Sequence, residues 1–252
     1  MSSHPFDLSI VIPARNEEGN VLPLLEEIDA IFAESSFRWE VVFVDDASSD
    51  STLIRLQAAI LRYPTLKGLS LAQHCGKSAA LAAGIVAAEG CTIGMMDADL
   101  QNCPHDFLAM LRMMDEDPSL ALIQGHRSCR QDSWARNWAS AVGFWMRRMI
   151  LCDQVRDSGC AIRLIRRQSA ADLPLHYEGM HRFIPFLVKL QGGKVVEIPV
   201  GHRPRRFGHS KYRIGPVSRG LFGFFDLLAV RWMMWRRRKL AVNRVSHCDV
   251  IV

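Results

Sequence analysis

Two carboxylates stand at i and i+2 where an apolar run stops: Asp97 and Asp99 follow Cys91–Met96, and Gln101 comes two residues later. A short apolar run bounded by polar residues reads as a buried strand, and side chains two apart at a strand end point the same way. Open α/β sheets bind ligands just beyond the carboxyl ends of their strands. Paired carboxylates there suit a hard divalent cation, Mg2+ or Mn2+, shared with substrate phosphates. Asp-x-Asp alone is common and fits a solvated loop equally well. An anion-binding feature stands beside it. Gly76 and Lys77 open an Ala-rich helix, and a helix N-terminus with a lysine favours a diphosphate. The spacing is not that of a Walker loop. Arg136 and Ser140, at i and i+4, share one face of a later helix.

The elements that must position these groups follow from hydrophobic periodicity. Leu8–Pro13 reads as a strand and Asn16–Ala33 as a helix, with Val21, Leu24, Leu25, Ile28 and Phe32 at helical spacing. Glu40–Val44 is a second strand that ends in Asp45 and Asp46, and Asp50 or Ser51 caps a helix to about Leu61. Gly68–Leu71, the helix Gly76–Ala88, the strand Cys91–Met96 and the helix Pro104–Met114 complete an alternating half. That alternation predicts a parallel, doubly wound sheet. Ala121–Gly125, Gly159–Ile165 and Lys194–Pro199 read as further strands, with a helix over Trp134–Leu151 and mostly helix over Leu173–Leu190. Arg203–Tyr212 is polar, basic and Gly-containing, and reads as a loop.

With 252 residues, 49% of them hydrophobic, the chain fits one large α/β domain or two small ones. No basic stretch precedes the first strand, so no signal peptide is expected. The seven cysteines are scattered without a CxxC pair, which favours reduced thiols over a disulfide framework or a zinc site. The net charge of +5 conceals an asymmetry: residues 1–120 hold 18 acids and 7 Lys/Arg, residues 121–252 hold 8 and 24. The basic half calls for an anionic partner, with nucleic acid, phosphate substrates and anionic lipid all open on charge alone.

Seven stretches together carry a family resemblance: SIVIPARNEE (9–18), VVFVDDASSDST (41–52), HCGKSAALAAG (74–84), MMDADLQNCP (95–104), GHR (125–127), DSGCAIRLIRR (157–167) and HRPRRFGHSKY (202–212). In that order they resemble family 2 glycosyltransferases of the GT-A fold, and among them the polyprenyl-phosphate, dolichol-phosphate mannosyltransferase-like enzymes. The resemblance implies a Rossmann-like, mostly parallel sheet flanked by helices. It also implies an inverting, metal-dependent transfer of a sugar from a GDP- or UDP-linked donor to polyprenyl phosphate. By the same resemblance Pro13, Arg15 and Glu17, with Asp46 and Asp45, line the nucleobase pocket, and Lys77 faces the diphosphate. Asp99 and Gln101 ligate the metal, with Asp97 at the metal or the ribose. Arg127 and Arg136, with Ser140, hold the lipid phosphate. Asp157 heads the family's Asp-x-Gly motif as base or orienting group, and Arg206 and Lys211 match phosphate-contacting positions. The chain departs from the family at His74, usually Asn, and at Cys160-Ala161, where relatives often carry an acidic or aromatic residue.

Trp134, Trp138 and Trp145 fall on one helix face, and Trp232 and Trp235 lie in the hydrophobic stretch Ile214–Trp235, followed by Arg236, Arg237, Arg238 and Lys239. Asp226 and Arg231 interrupt that stretch well short of the ~18–20 apolar residues a spanning helix needs. It reads as an interfacial helix with a basic end, or as an ordinary core helix. The expected organisation is a catalytic domain over 1–213, a membrane-interface segment over 214–240 and a tail over 241–252. The expected location is cytoplasmic, peripheral on the inner face of the cell membrane, with a membrane-protein partner or self-association left open. The competing readings are a family 2 enzyme acting on a glycan or lipid hydroxyl, a sugar-phosphate nucleotidyltransferase, whose Gly-rich basic start is missing here, and a non-enzymatic module binding membrane or nucleic acid. The acidic constellation argues against the last, and no nucleic-acid partner is expected.

Overall fold

A computed structural model describes residues 4–127, 134–205 and 216–238, with the backbone alone at 134–141 and 216–221. The elements run β1 (Phe6–Ala14), α1 (Val21–Ala33), β2 (Trp39–Asp45), α2 (Thr52–Ile60), β3 (Leu66–Ser70), α3 (Lys77–Ala87), β4 (Gly90–Met95), α4 (Asp106–Glu116), β5 (Leu120–Arg127), α5 (Trp134–Leu151), β6 (Arg163–Arg166), α6 (Arg167–Ala170), a 3-10 turn (Met180–Phe183), α7 (Ile184–Leu190), β7 (Lys194–Val200) and α8 (Pro216–Arg236).

Seven strands form one sheet in the order β3-β2-β1-β4-β6-β5-β7. All neighbours are parallel except β6, which runs antiparallel to β4 and β5. The chain winds outward from β1 to β2 and β3 and then returns to β4 on the other side of β1. A switch of this kind opens a crevice at the carboxyl ends of β1 and β4. The alternation along the strands divides the core in two. Leu8, Ile10, Ile12, Val41 and Phe43 pack with α1, α2 and α4. Val11, Val42, Val44, Ile93 and Met95 pack with α3 and α7 on the opposite face.

Three expectations shift. The helix expected from Asn16 begins at Val21, because residues 16 and 17 are spent on the loop after β2. Asn16 has φ 51°, its Oδ1 accepts the Ser49 N–H at 2.7 Å, and the Glu17 N–H reaches Thr52 Oγ1 at 2.7 Å. The strand expected from Gly159 begins at Arg163, since the Cys160 and Ile162 carbonyls serve Gln124, Arg163 and the Gly125 N–H instead. The stretch 173–190 is helical only from Met180, where Pro174 and the left-handed Gly179 (φ 79°) have turned the chain. At the start of α2 the carboxylate that accepts the Thr52 N–H is Asp50, at 3.0 Å, while Ser51 occupies the cap without a side-chain bond.

Candidate active site

The crevice gathers the loops after β1, β2 and β4, the first turn of α3, and the segment leaving β7. Asp97 and Asp99 follow β4. Lys77 Nζ lies 2.5 Å from Asp97 Oδ1, and Arg205 Nη2 lies 2.7 Å from Asp99 Oδ2. Burial pushes the Asp99 carboxyl up, and the negative charges of Asp97 and Glu17 push it further, against the pull of Arg205 and the Gln101 N–H.

The segment leaving β7 is zipped onto the acidic loop. The Arg203 N–H donates to the Gln101 carbonyl at 2.8 Å, Gln101 Nε2 donates to the Arg203 carbonyl at 3.2 Å, and Asn102 bridges to His202. Arg203 Nη1 reaches back to Glu27 of α1 at 2.7 Å. Arg206 and Lys211, expected beyond this zip, lie outside the described residues, as do the side chains of Arg136 and Ser140.

The donor set fits Mg2+ or Mn2+. Two carboxylates converge in a half-buried site, and Gln101 commits its amide nitrogen to Arg203, which leaves an oxygen as the atom to face a cation. Among the described residues no three His, Cys, Asp or Glu side chains cluster tightly enough to hold a metal by themselves. Two carboxylates completed by substrate phosphates is the usual arrangement for Mg2+.

Asp45 and Asp46 end β2 with different tasks. Both oxygens of Asp46 are used: they accept the Cys75 N–H at 2.8 Å, the Gly76 N–H at 3.0 Å and a contact from His74 Nδ1 at 2.7 Å. Asp46 thereby builds the turn that ends in Gly76, whose φ of 86° suits glycine, and so fixes where α3 and Lys77 begin. Asp45 Oδ2 accepts only long bonds, from the Ser48 N–H at 3.3 Å and Ser70 Oγ at 3.4 Å. Its Oδ1 is buried with no partner. An unpaired carboxylate oxygen in a crevice is an acceptor waiting for a donor. His74, where the family pattern is broken, thus contributes to the same turn. Pro13 and Arg15 sit half-buried at the end of β1, with Pro13 beside Val44.

Arg127 and Asp157 form a two-pronged pair. Nε and Nη2 donate to the two carboxylate oxygens at 2.7 and 2.9 Å, and the Arg127 N–H adds a third contact at 3.3 Å. Gly159 lets them close, since a Cβ there would stand 3.3 Å from the guanidinium. Cys160 next to this pair is pushed up to about 11 by burial and by the Asp157 charge, so it is an inert thiol.

Beneath Lys77 and Asp97 lies a cavity of about 10 Å³, lined also by Arg163 and His181. Sequence reading did not single out Arg163, His181 or Ser78. His181 stands in MHRFIPF, an apolar run that reads as core, and its meeting with Ser78 spans 103 positions.

Residues 9–173 match the model of glycosyl transferase family 2. The chain is 35% identical over 232 residues to a dodecaprenyl-phosphate galacturonate synthase of Rhizobium johnstonii, covering 90% of this chain and 67% of that protein. It is 34% identical over 212 residues to an undecaprenyl-phosphate 4-deoxy-4-formamido-L-arabinose transferase of Aeromonas hydrophila, covering 81% and 62%. The chain thus spans about two thirds of the length of these curated relatives. Among solved structures it resembles a Pyrobaculum calidifontis mannosyltransferase in complex with GDP-Man and Mn2+, with TM-score 0.63 and 20% identity over 91% of this chain and 65% of that one. It also resembles a Mycobacterium tuberculosis glucosyl-3-phosphoglycerate synthase with Mn2+, UDP-glucose and glycerol 3-phosphate, with TM-score 0.66 and 17% identity over 90% and 80%.

Proposed function

The chain belongs to glycosyl transferase family 2 and has the GT-A fold, and from that premise we propose that it moves a sugar from a UDP- or GDP-linked donor to a polyprenyl phosphate. The names of the two curated relatives support the acceptor class. The observation that carries the choice is the Arg127–Asp157 pair. A hydroxyl acceptor needs a base, and a carboxylate that already accepts two guanidinium bonds is a poor one. A phosphate acceptor is ionised at neutral pH and needs none. It needs an oriented cation, which Asp157 makes of Arg127.

In this reading the Asp45 Oδ1 accepts an N–H of the nucleobase, with Pro13, Arg15 and Glu17 shaping the pocket. Lys77 and the N-terminus of α3 meet the diphosphate, as does the basic segment that includes Arg206 and Lys211. Asp97, Asp99 and Gln101 hold Mg2+ or Mn2+, which when bound supplies Lewis-acid neutralisation of the departing diphosphate. Arg127, with Arg136 and Ser140, holds the acceptor phosphate. A phosphate oxygen attacks the anomeric carbon from the face opposite the leaving group, the bond from that carbon to the diphosphate oxygen breaks, and configuration inverts. An α-linked donor yields a β-linked lipid-phosphate sugar.

The catalytic unit is assigned to residues 1–213 and membrane docking to 214–240, with 241–252 as a tail. No helix among the described residues is long and apolar enough to cross a membrane. Instead α8 is apolar on two faces: Leu227 and Val230 are buried against the body, while Phe222, Phe225, Trp232 (60% exposed) and Trp235 (76%) face outward. Trp145 and Met149 of α5 are exposed as well, and α5 and α8 are in contact. With Arg236, Arg237 and Arg238 exposed next to it, this surface suits the anionic inner face of a cell membrane. The reading is tested by incubating the protein with UDP- and GDP-sugars, Mn2+ and polyprenyl phosphate, and weighing the lipid product. A product whose mass equals lipid phosphate plus one sugar residue is expected. Transfer confined to glycan or lipid hydroxyls would overturn the acceptor assignment.

A further inference from the structure

Ser78 is the second residue of α3, next to Lys77, and is buried. Its Oγ accepts the backbone N–H of His181 at 3.2 Å and lies 2.8 Å from His181 Nδ1. We assign the Ser78 hydroxyl as donor to Nδ1, the role left to its proton while Oγ accepts the His181 N–H, which puts the ring proton on Nε2. Burial, and the cations Lys77, Arg182 and Arg163 around it, keep the ring neutral.

His181 is itself anchored. Its carbonyl accepts Arg163 Nη1 at 2.7 Å, and Arg163 Nη2 donates to the Cys160 carbonyl at 2.6 Å. Arg163 is buried and stands opposite Met95 in the sheet, two residues before Asp97. A strut therefore runs from β6, beside the strand that delivers the acidic pair, through His181 to the first turn of α3. From the other side Asp226 of α8 abuts Gly179: a Cβ there would come within 2.6 Å of its carboxylate, so the turn that carries His181 is wedged in place. Lys77, Asp97, Arg163 and His181 line the same small cavity.

We infer that His181 is a positioning residue for the donor diphosphate: through Ser78 it sets the first turn of α3 and with it the reach of Lys77. The inference rests on the donor-site reading above. Asp46 holds the approach to α3 through the Cys75 and Gly76 N–H groups, the Gly76 cap itself offers no side-chain bond, and the Ser78–His181 contact is the tether on the first turn from the opposite side. The strut acts on the donor and not on the acceptor, whose contacts lie on Arg127.

The test measures binding of UDP and of GDP, each with Mn2+, by calorimetry, alongside donor and acceptor KM and melting temperature. The proteins are wild type, Ser78→Ala, His181→Phe, His181→Asn and the Ser78→Ala/His181→Phe double variant. His181→Phe loses the bond at Nδ1 and Ser78→Ala loses that bond together with the one from the His181 N–H, so nucleotide binding should weaken about 3- to 10-fold in His181→Phe and at least as much in Ser78→Ala. Donor KM should rise in step while acceptor KM stays within about twofold. The double variant should be no weaker than Ser78→Ala alone, because the bond that His181→Phe removes is already lost in Ser78→Ala. In His181→Asn an amide oxygen takes the place of Nδ1, and binding should return to within about twofold of wild type. Wild-type affinity in a folded Ser78→Ala, additive losses, failure of the asparagine to rescue, or an equal rise in acceptor KM would each overturn the inference. Should His181→Phe not fold, Ser78→Ala and His181→Asn carry the same decision. If wild type binds neither UDP nor GDP, the nucleotide-sugar reading falls and this inference falls with it. Binding that is strong yet indifferent to the strut defeats the inference alone.

Discussion

Asp45→Ala should separate nucleotide affinity from stability. In the free protein the Asp45 carboxylate contributes little. Its Oδ2 makes two bonds at 3.3 and 3.4 Å, and its Oδ1 is buried without a partner, which costs the fold the desolvation of a charged oxygen. These terms oppose each other, so the unfolding free energy of the alanine variant should stay within about 1 kcal/mol of wild type. Binding is different. A base N–H donated to a carboxylate in a sheltered pocket is worth about 1.5–3 kcal/mol, and each 1.4 kcal/mol is tenfold in Kd. Nucleotide affinity should therefore fall by roughly 10- to 150-fold. The assay is calorimetric titration of UDP and GDP in the presence of Mn2+, with chemical denaturation of the same preparations. Asp46→Ala is the control in the opposite sense. It removes the three contacts from Asp46 to residues 74–76, so it should lower stability as well as affinity. An Asp45→Ala protein that melts like wild type and binds nucleotide like wild type would refute the assignment of Oδ1 to the base.

Asp99→Ala should keep the fold and lose on the order of 10²-fold or more in turnover, because the leaving diphosphate loses its counter-charge; near-normal transfer by this variant in EDTA would remove the metal from the reaction. Arg127→Ala should raise the acceptor KM by at least about tenfold while nucleotide Kd stays within twofold, and Asp157→Asn, which releases the guanidinium, should move the same parameter. Collapse of nucleotide affinity with an unchanged acceptor KM would show the pair to be on the donor side. Replacing Trp232 and Trp235 with Ser should reduce co-sedimentation with anionic vesicles, and wild-type binding should weaken in high salt because about 1 kcal/mol per basic residue is screened; equal sedimentation of variant and wild type would leave α8 without a membrane role. Acid stability should report His181. Its folded pKa is depressed below 6.5, so the unfolded chain binds more protons in that window and its contribution is complete above about pH 6.5 and lost as pH falls through the folded value. His181→Asn should therefore give a shallower acid limb in a melting-temperature profile, and an unchanged limb would remove His181 as its cause.

Local pattern was enough to read the alternating half of the fold. The short apolar runs of the strands, the helical spacing of Val21, Leu24, Leu25, Ile28 and Phe32, and the halt of an apolar run at Asp97 and Asp99 are all short-range, and the carboxyl-end rule turns them into a crevice. The family motifs added the site residues in chain order. Other features depend on contacts between distant positions, which no local pattern encodes. The reversed direction of β6 follows from Arg163 meeting Met95 and Gln124 across the sheet. The division of labour between Asp45 and Asp46 depends on which of two adjacent carboxylates faces the 74–76 turn, since neighbours at a strand end point to opposite sides. The pairing of Arg127 with Asp157 spans 30 positions and that of Ser78 with His181 spans 103. His181 stands between residues that pack as core, and only the packing brings its Nδ1 to the first turn of α3. The two apolar faces of α8 were legible as hydrophobicity, yet which face is buried was decided by the body against which Leu227 and Val230 close.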